Sequence, residues 1–209
     1  MRIRSTLVSI AIAAAAGGIL FGSGSSGATA DPPPTWAYVW DGPRVHGAWG
    51  LEIARSTTTG WRQLTRPTVA CRTDPLTGIT DCQGDDHDES WSPDGRQLAF
   101  ARDPRIAGVY VVGATGGRPR RLATTSRTTS EVTETVWAPN GRPIAFIRRG
   151  EIDIAQAHGT SLRRRIGGRL QSDSVSWSPD SSSLVCSCGN GSAIVSIRAD
   201  GSGAREVVP

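Results

Sequence analysis

The chain contains no lysine, so all 23 of its basic side chains are arginine. With abundant alanine and glycine, that is the codon usage of a GC-rich bacterial genome. Histidine is limited to His46, His87 and His158. Neither a G-x-S-x-G nucleophile elbow nor a zinc-protease helix motif occurs, which removes two of the commonest hydrolase architectures. The arginines lack the interleaved aromatics of a single-strand platform, so no nucleic-acid partner is expected. The formal net charge is only +4, and +2 without Arg2 and Arg4, which excludes a strongly basic, partner-seeking surface. Long apolar runs are scarce too. Leu7 to Phe21 is short for a bilayer span and contains Gly17-Gly18. It follows Arg2 and Arg4 and precedes the small-residue site Ala28-Thr29-Ala30, which reads as a secretory signal peptide over 1–30, cleaved near Ala30. The mature protein is therefore expected to be exported, to the medium or the cell-envelope space, with no stable membrane span after cleavage. The first cysteine is Cys71, too far from that site for lipoprotein anchoring.

What the chain does have is one phrase written three times. Trp91-Ser92-Pro93-Asp94-Gly95, Trp137-Ala138-Pro139-Asn140-Gly141 and Trp177-Ser178-Pro179-Asp180-Ser181 each precede an apolar, strand-like run. A recurrence of about 40 residues built from β-type segments is the signature of a propeller. After each phrase Gln97–Arg102 matches Pro143–Arg148 and Ser183–Cys188. A second apolar run, a glycine turn and a closing basic run follow in each unit. Four short strands separated by turn chemistry make one propeller blade. A fourth, damaged copy lies upstream: Trp36-Ala37-Tyr38-Val39 aligns with Leu98-Ala99-Phe100-Ala101. Asp31-Pro32-Pro33-Pro34 stands where its first strand and tryptophan phrase should be, and proline cannot fill a central strand.

Side-chain alternation predicts how blades stack. One face of the second strand carries Tyr38, Phe100, Phe146 and Cys186, and the other carries Ala37, Ala99, Ala145 and Val185. A bulky face on one sheet can then pack against a small face on the next. The tryptophans Trp91, Trp137 and Trp177 are expected to pack between blades. Pro93, Pro139 and Pro179 preset a tight turn, and Asp94, Asn140 and Asp180 hydrogen-bond their own backbone. Gly95 and Gly141 supply positive φ, so Ser181 in the same place should be strained.

These units resemble the TolB-type, WD40-like propeller repeat with its W-S-P-D-G signature, over nearly all of the chain after residue 30. The resemblance implies a β-propeller used mostly as a binding platform, also found as an accessory domain of some peptidases, with no universal catalytic residue. TolB-type propellers commonly have more blades. The expected fold is therefore all-β, a propeller of about four four-stranded antiparallel blades with the first incomplete, open or partial, with self-association as a means of closure. The spans are 35–66, 88–125, 133–168 and 173–208, within a domain of 31–209, with an insertion at 67–87.

Cys71 and Cys82 bracket that insertion, and an oxidising compartment makes their disulfide the expected pairing. In a regular strand Cys186 and Cys188 stand too far apart for an unstrained bond. Either that strand is distorted, or the thiols are free, or they pair elsewhere; a C-x-C redox or metal role is the functional alternative to a structural one.

Two acidic features are candidate sites. Asp85, Asp86 and Asp88 crowd one segment and could offer oxygens to Ca²⁺, although the spacing matches no EF-hand and a solvated loop is the simpler reading. Asp88 and Glu134 lie three residues before a tryptophan and Asp173 four before, so these acids could ring one mouth of the channel and attract cations or a basic peptide. Polar strand entries are the simpler explanation. The arginines of the outermost strands are read as protection of exposed edges, with anionic envelope polymers as the functional rival. The sequence thus points to a secreted, non-catalytic module that binds a protein, peptide or envelope component and needs no cofactor. The alternatives are a hydrolase or lyase with a metal-assisted acidic site at the channel mouth, and a shortened relative of a larger propeller with little independent function.

Overall fold

A computed structural model describes residues 36–39, 50–54, 61–66, 70–73, 75–76, 78, 80–83, 85–103, 107–124, 132–159, 162–163, 166–168, 170–188 and 193–208. The segments assigned to signal peptide and cleavage site, His46, Arg164 and Arg165 lie outside them. The first sheet has three antiparallel strands, β1 (Trp36–Val39), β2 (Leu51–Ala54) and β3 (Trp61–Gln63). A hairpin follows, β4 (Ala70–Thr73) and β5 (Thr80–Gln83). Next comes a four-stranded sheet of β6 (Asp85–Trp91), β7 (Gln97–Asp103), β8 (Gly108–Gly113) and β9 (Arg120–Thr124). Its successor holds β10 (Val132–Trp137), β11 (Pro143–Arg148), β12 (Glu151–Gln156) and β13 (Leu162–Arg163). The last holds β14 (Ser172–Trp177), β15 (Ser183–Cys188), β16 (Ala193–Arg198) and β17 (Arg205–Val208). Strands pair in sequence order within each sheet, an up-and-down meander. The second blade starts at Asp85 rather than 88, because β6 runs seven residues and includes part of the expected insertion.

The repeated phrase makes the turn between the first two strands of each full blade. Gly95 N–H donates to Ser92 O at 2.9 Å, Gly141 to Ala138 O at 2.9 Å and Ser181 to Ser178 O at 2.8 Å. Asp94 Oδ1 accepts the Arg96 amide, Asn140 Oδ1 the Arg142 amide and Asp180 Oδ1 the Ser182 amide, each at 3.0 Å. All three closing residues have left-handed φ: 66° at Gly95, 73° at Gly141 and 60° at Ser181. Ser181 departs from glycine for a visible reason. Its Oγ accepts the Asn140 amide at 3.0 Å, joining the turns of neighbouring blades.

Packing between sheets follows the large-face, small-face rule. Phe100 and Leu98 meet Leu51 and Leu64 of the first blade. Phe146 meets Ala101 and Val109 of the second. Cys186 and Leu184 meet Ala145, Ile147 and Ile152 of the third. Each blade therefore turns its bulky face to its predecessor and its small face to its successor. Trp137 and Trp177 are buried in these seams, and Trp91 packs at the edge of the first. The Trp177 indole also donates to Val136 O, one blade back, at 3.1 Å.

One register position on the bulky face is satisfied in three ways. Arg102, Arg148 and Cys188 occupy it in successive blades. Arg102 pairs with Asp86, Arg148 pairs with Asp153 at 2.9 Å, and Cys188 is disulfide-bonded to Cys186 with a Cα–Cα distance of 5.8 Å. That bond decides among the pairings open to these cysteines. The bond lies next to the register shift between Ser172 and Ser174 on the partner strand, and a bulge bends and twists its surroundings. In the hairpin, the backbone register places Cys71 directly opposite Cys82; their side chains lie outside the described atoms.

Candidate functional site

The first strand of each full blade, β6, β10 and β14, runs beside its counterpart in the next. Trp137 N–H donates to Ser90 Oγ at 3.0 Å, and Thr135 Oγ1 donates to Asp88 O. Val175 N–H donates to the Glu134 carboxylate at 2.7 Å. Glu134 is thus first a clip between blades. Burial pushes its carboxyl above the usual range, the Val175 amide opposes this, and the Asp88 charge adds to the rise.

The three acids read as a ring occupy three different register positions. Glu134 stands opposite Ile147, and its counterparts opposite Ala101 and Ser187 are His87 and Ser174. Asp88 lies one residue beyond His87, inside the irregularity that separates His87 from Ser90, with φ of 52°. Asp173 sits in a similar irregularity between Ser172 and Ser174. Counting back from the tryptophan fails because these bulges hold different numbers of residues. Asp88 and Glu134 are within electrostatic reach of one another. Asp173 instead lines an open depression of about 300 Å³ with Thr133, Gly150, Gln171 and Ser172.

The inner-strand cluster contains two residues that counting missed. His87 Nδ1 lies 2.7 Å from Asp88 Oδ2. The Glu89 carboxyl is pushed up by burial, with Asp88 adding to the effect and its own backbone amide and His87 opposing it. Both belong to the acidic run visible in the sequence, but the irregularity between His87 and Ser90 that sets their placement is not.

The calcium set of Asp85, Asp86 and Asp88 loses its middle member. Asp86 is fully buried and receives Arg102 in a two-point contact, Nε to Oδ1 at 2.5 Å and Nη2 to Oδ2 at 2.7 Å. Thr65 Oγ1 donates to the same carboxylate at 2.5 Å and accepts the Leu51 amide at 2.9 Å. Burial drives the Asp86 carboxyl upward while Arg102 and Thr65 pull it back. Alternation along β6 turns Asp85 away from Asp86, Asp88 stands inside the irregularity between His87 and Ser90, and among the described residues no group of three His, Cys, Asp or Glu is placed to hold a metal ion.

The outer-strand arginines do more than guard an edge. Arg62, Arg120, Arg163 and Arg205 share one register position, opposite Ile53, Val111, Ile154 and Ser196. Arg62 donates to Ala114 O at 2.6 Å and Thr115 O at 2.7 Å in the second blade. Arg120 donates to Ala157 O in the third. Ala114 and Ala157 are equivalent, since each amide donates to a residue just after the preceding tight turn, Arg96 or Arg142, at 2.7 Å. A recurrent arginine therefore reaches forward to the next blade.

Comparison with solved structures places this architecture. TolB from Agrobacterium tumefaciens superposes with a TM-score of 0.57 and 16% identity, covering 81% of this chain and 59% of that one. The fold is that of a β-propeller. A chain of the nidogen/laminin complex gives 0.51 and 13% identity, covering 75% and 57%. TolB from Acinetobacter baumannii gives 0.49 and 16%, covering 83% and 52%. This propeller spans less than two thirds of the length of each of these chains. No family model and no curated protein matches the chain. Among the described residues no helix is long and apolar enough to cross a membrane.

Proposed function

We propose that this propeller is an exported, non-catalytic binding module whose inner strands capture a basic segment of a protein or peptide in the cell envelope. The observation that carries the reading is the acidic cluster of Asp88, Glu89 and Glu134 on two adjoining inner strands. Burial and the Asp88 charge both raise Glu89 and Glu134, so these carboxylates sit in a field that a cation would relieve. Arginine or lysine entering it would restore charge balance and gain charge-assisted hydrogen bonds. The surface is built on strands rather than loops, which holds the acids in place. One matched propeller comes from a structure of a protein complex, nidogen with laminin, which accords with this use of the fold.

The test is capture from a native envelope fraction, with a fluorescent oligoarginine peptide as a defined second probe. Wild type should bind the peptide with affinity that falls as salt rises. Asp88→Asn with Glu89→Gln should weaken it by about tenfold, the equivalent of 1.4 kcal/mol. Unchanged affinity in that variant refutes the site. N-terminal sequencing of secreted protein should begin at Asp31; a start at Met1 refutes export by a cleaved signal. Stoichiometric calcium or zinc in purified protein would favour a metal-assisted hydrolase or lyase instead.

A further inference from the structure

The last blade offers its successor a face that is not covered. At the position where Ala99 and Ala145 are 0% exposed beneath the following blade, Val185 is 39% exposed. Ser187 and Ile194 are half-open where Ala101, Val109, Ile147 and Ile152 are buried. Among the described residues the four blades therefore do not close on themselves. On this same face Ser183, Ser196, Arg198, Gly203 and Arg205 line an open depression of about 420 Å³. Arg205 holds the register position of Arg62 and Arg120, which reach forward to backbone carbonyls of the next blade. The face repeats the docking half of a seam that the chain makes three times.

The matching half lies at the other end of the arc. Tyr38 occupies the register position of Phe100 and Phe146 on the first blade. In the other blades that position belongs to the face turned toward the preceding blade. The first blade has no predecessor among the described residues. We infer that a second copy of this chain docks its first blade on the last blade of the other, and vice versa, in a head-to-tail pair. The contact continues the established seam between blades, with small side chains against large and a forward arginine. Two such contacts form a two-fold pair. Two copies contribute eight blades, within the usual range of about four to eight for a closed propeller. A heterologous contact makes a ring only if its rotation closes. The inference is independent of the acidic inner-strand site, which lies on other strands.

Sedimentation velocity over rising concentration tests it. Wild type should show a species of twice the monomer mass. Val185→Arg places a charge on an already open position, so the monomer should keep its circular dichroism spectrum and thermal midpoint. Its dimerisation should weaken by about tenfold or more, because an unpaired charge would be buried in the seam. Tyr38→Arg should do the same from the opposite end. Mixing the two variants should restore heterodimers, since one seam in the mixed pair is intact. A monomer at every concentration, open chains longer than two, a Val185→Arg variant that pairs like wild type, or a mixture that recovers nothing would each overturn the inference.

Discussion

Replacing Asp86 with alanine should unfold this propeller more readily than any comparable change on its surface. Asp86 is fully buried. Its loss strands the Arg102 guanidinium, which is itself buried and lies 5.4 Å from the Phe100 ring centroid and 5.1 Å from that of Tyr110, without a counter-charge. It also frees the Thr65 hydroxyl that holds the Leu51 amide, so the first blade loses one of its polar ties to the second. Removing one partner of a buried pair costs about 3–5 kcal/mol. For a domain of this size that is a drop in Tm of roughly 6–20 °C. The assay is urea unfolding followed by tryptophan fluorescence, comparing Asp86→Ala, Arg102→Met and the double variant. The double variant should recover much of the loss, because two apolar side chains replace two desolvated charges. A single Asp86→Ala loss within about 0.5 kcal/mol of zero, the usual range for an exposed site, would refute the network.

Phe146→Ala should cost about 3–5 kcal/mol by opening a cavity against Ala101 and Val109, and an unchanged denaturation midpoint would refute the face assignment. At Ser181, glycine should relieve about 1 kcal/mol of left-handed strain while losing the bond to Asn140, whereas alanine keeps the strain and loses the bond. Ser181→Ala should therefore be the less stable of the two, and equal midpoints would refute that account. The Asp180 carboxyl is held down to about 2 from 3.8 by the Ser178 hydroxyl and the Ser182 amide and hydroxyl. A depressed folded value adds stability above the unfolded value and loses it as pH falls. The stability gap between wild type and Asp180→Ala should shrink between pH 3.8 and about 2, and a constant gap across that window would count against these bonds. Denatured but unreduced protein should show no reactive thiol, given the bonded Cys186 and Cys188 and the facing positions of Cys71 and Cys82; two titratable thiols would refute the hairpin disulfide.

Much of this fold was legible locally because its information is periodic. The W-S-P-D phrase encodes a tight turn through residues that are neighbours in sequence, so Pro93, Asp94 and Gly95 could be read without tertiary context. Strand alternation likewise exposed the large and small faces, because side-chain direction in a strand follows from parity alone. The candidate site was less legible. Asp88, Glu134 and Asp173 looked equivalent only until the bulges in β6, β10 and β14 shifted their registers. A bulge is a response to neighbouring strands, and no single residue in the run announces it.

The sequence by itself determined the repeat, the turns, the all-β class and the face taken by residues in the unbulged strands, since all of these depend on spacing along the chain. Only the tertiary structure decided what polar side chains do across seams. Asp86 became a buried partner of Arg102, and Glu134 became a clip to Val175. Arg62 and Arg120 became forward ties, and Cys186 found Cys188. The physical reason is common to all of them. A charge or thiol takes its role from whatever group lies within about 3 Å of it, a hydrogen-bond length. Here that group often belongs to another blade, some 40 positions away in the chain.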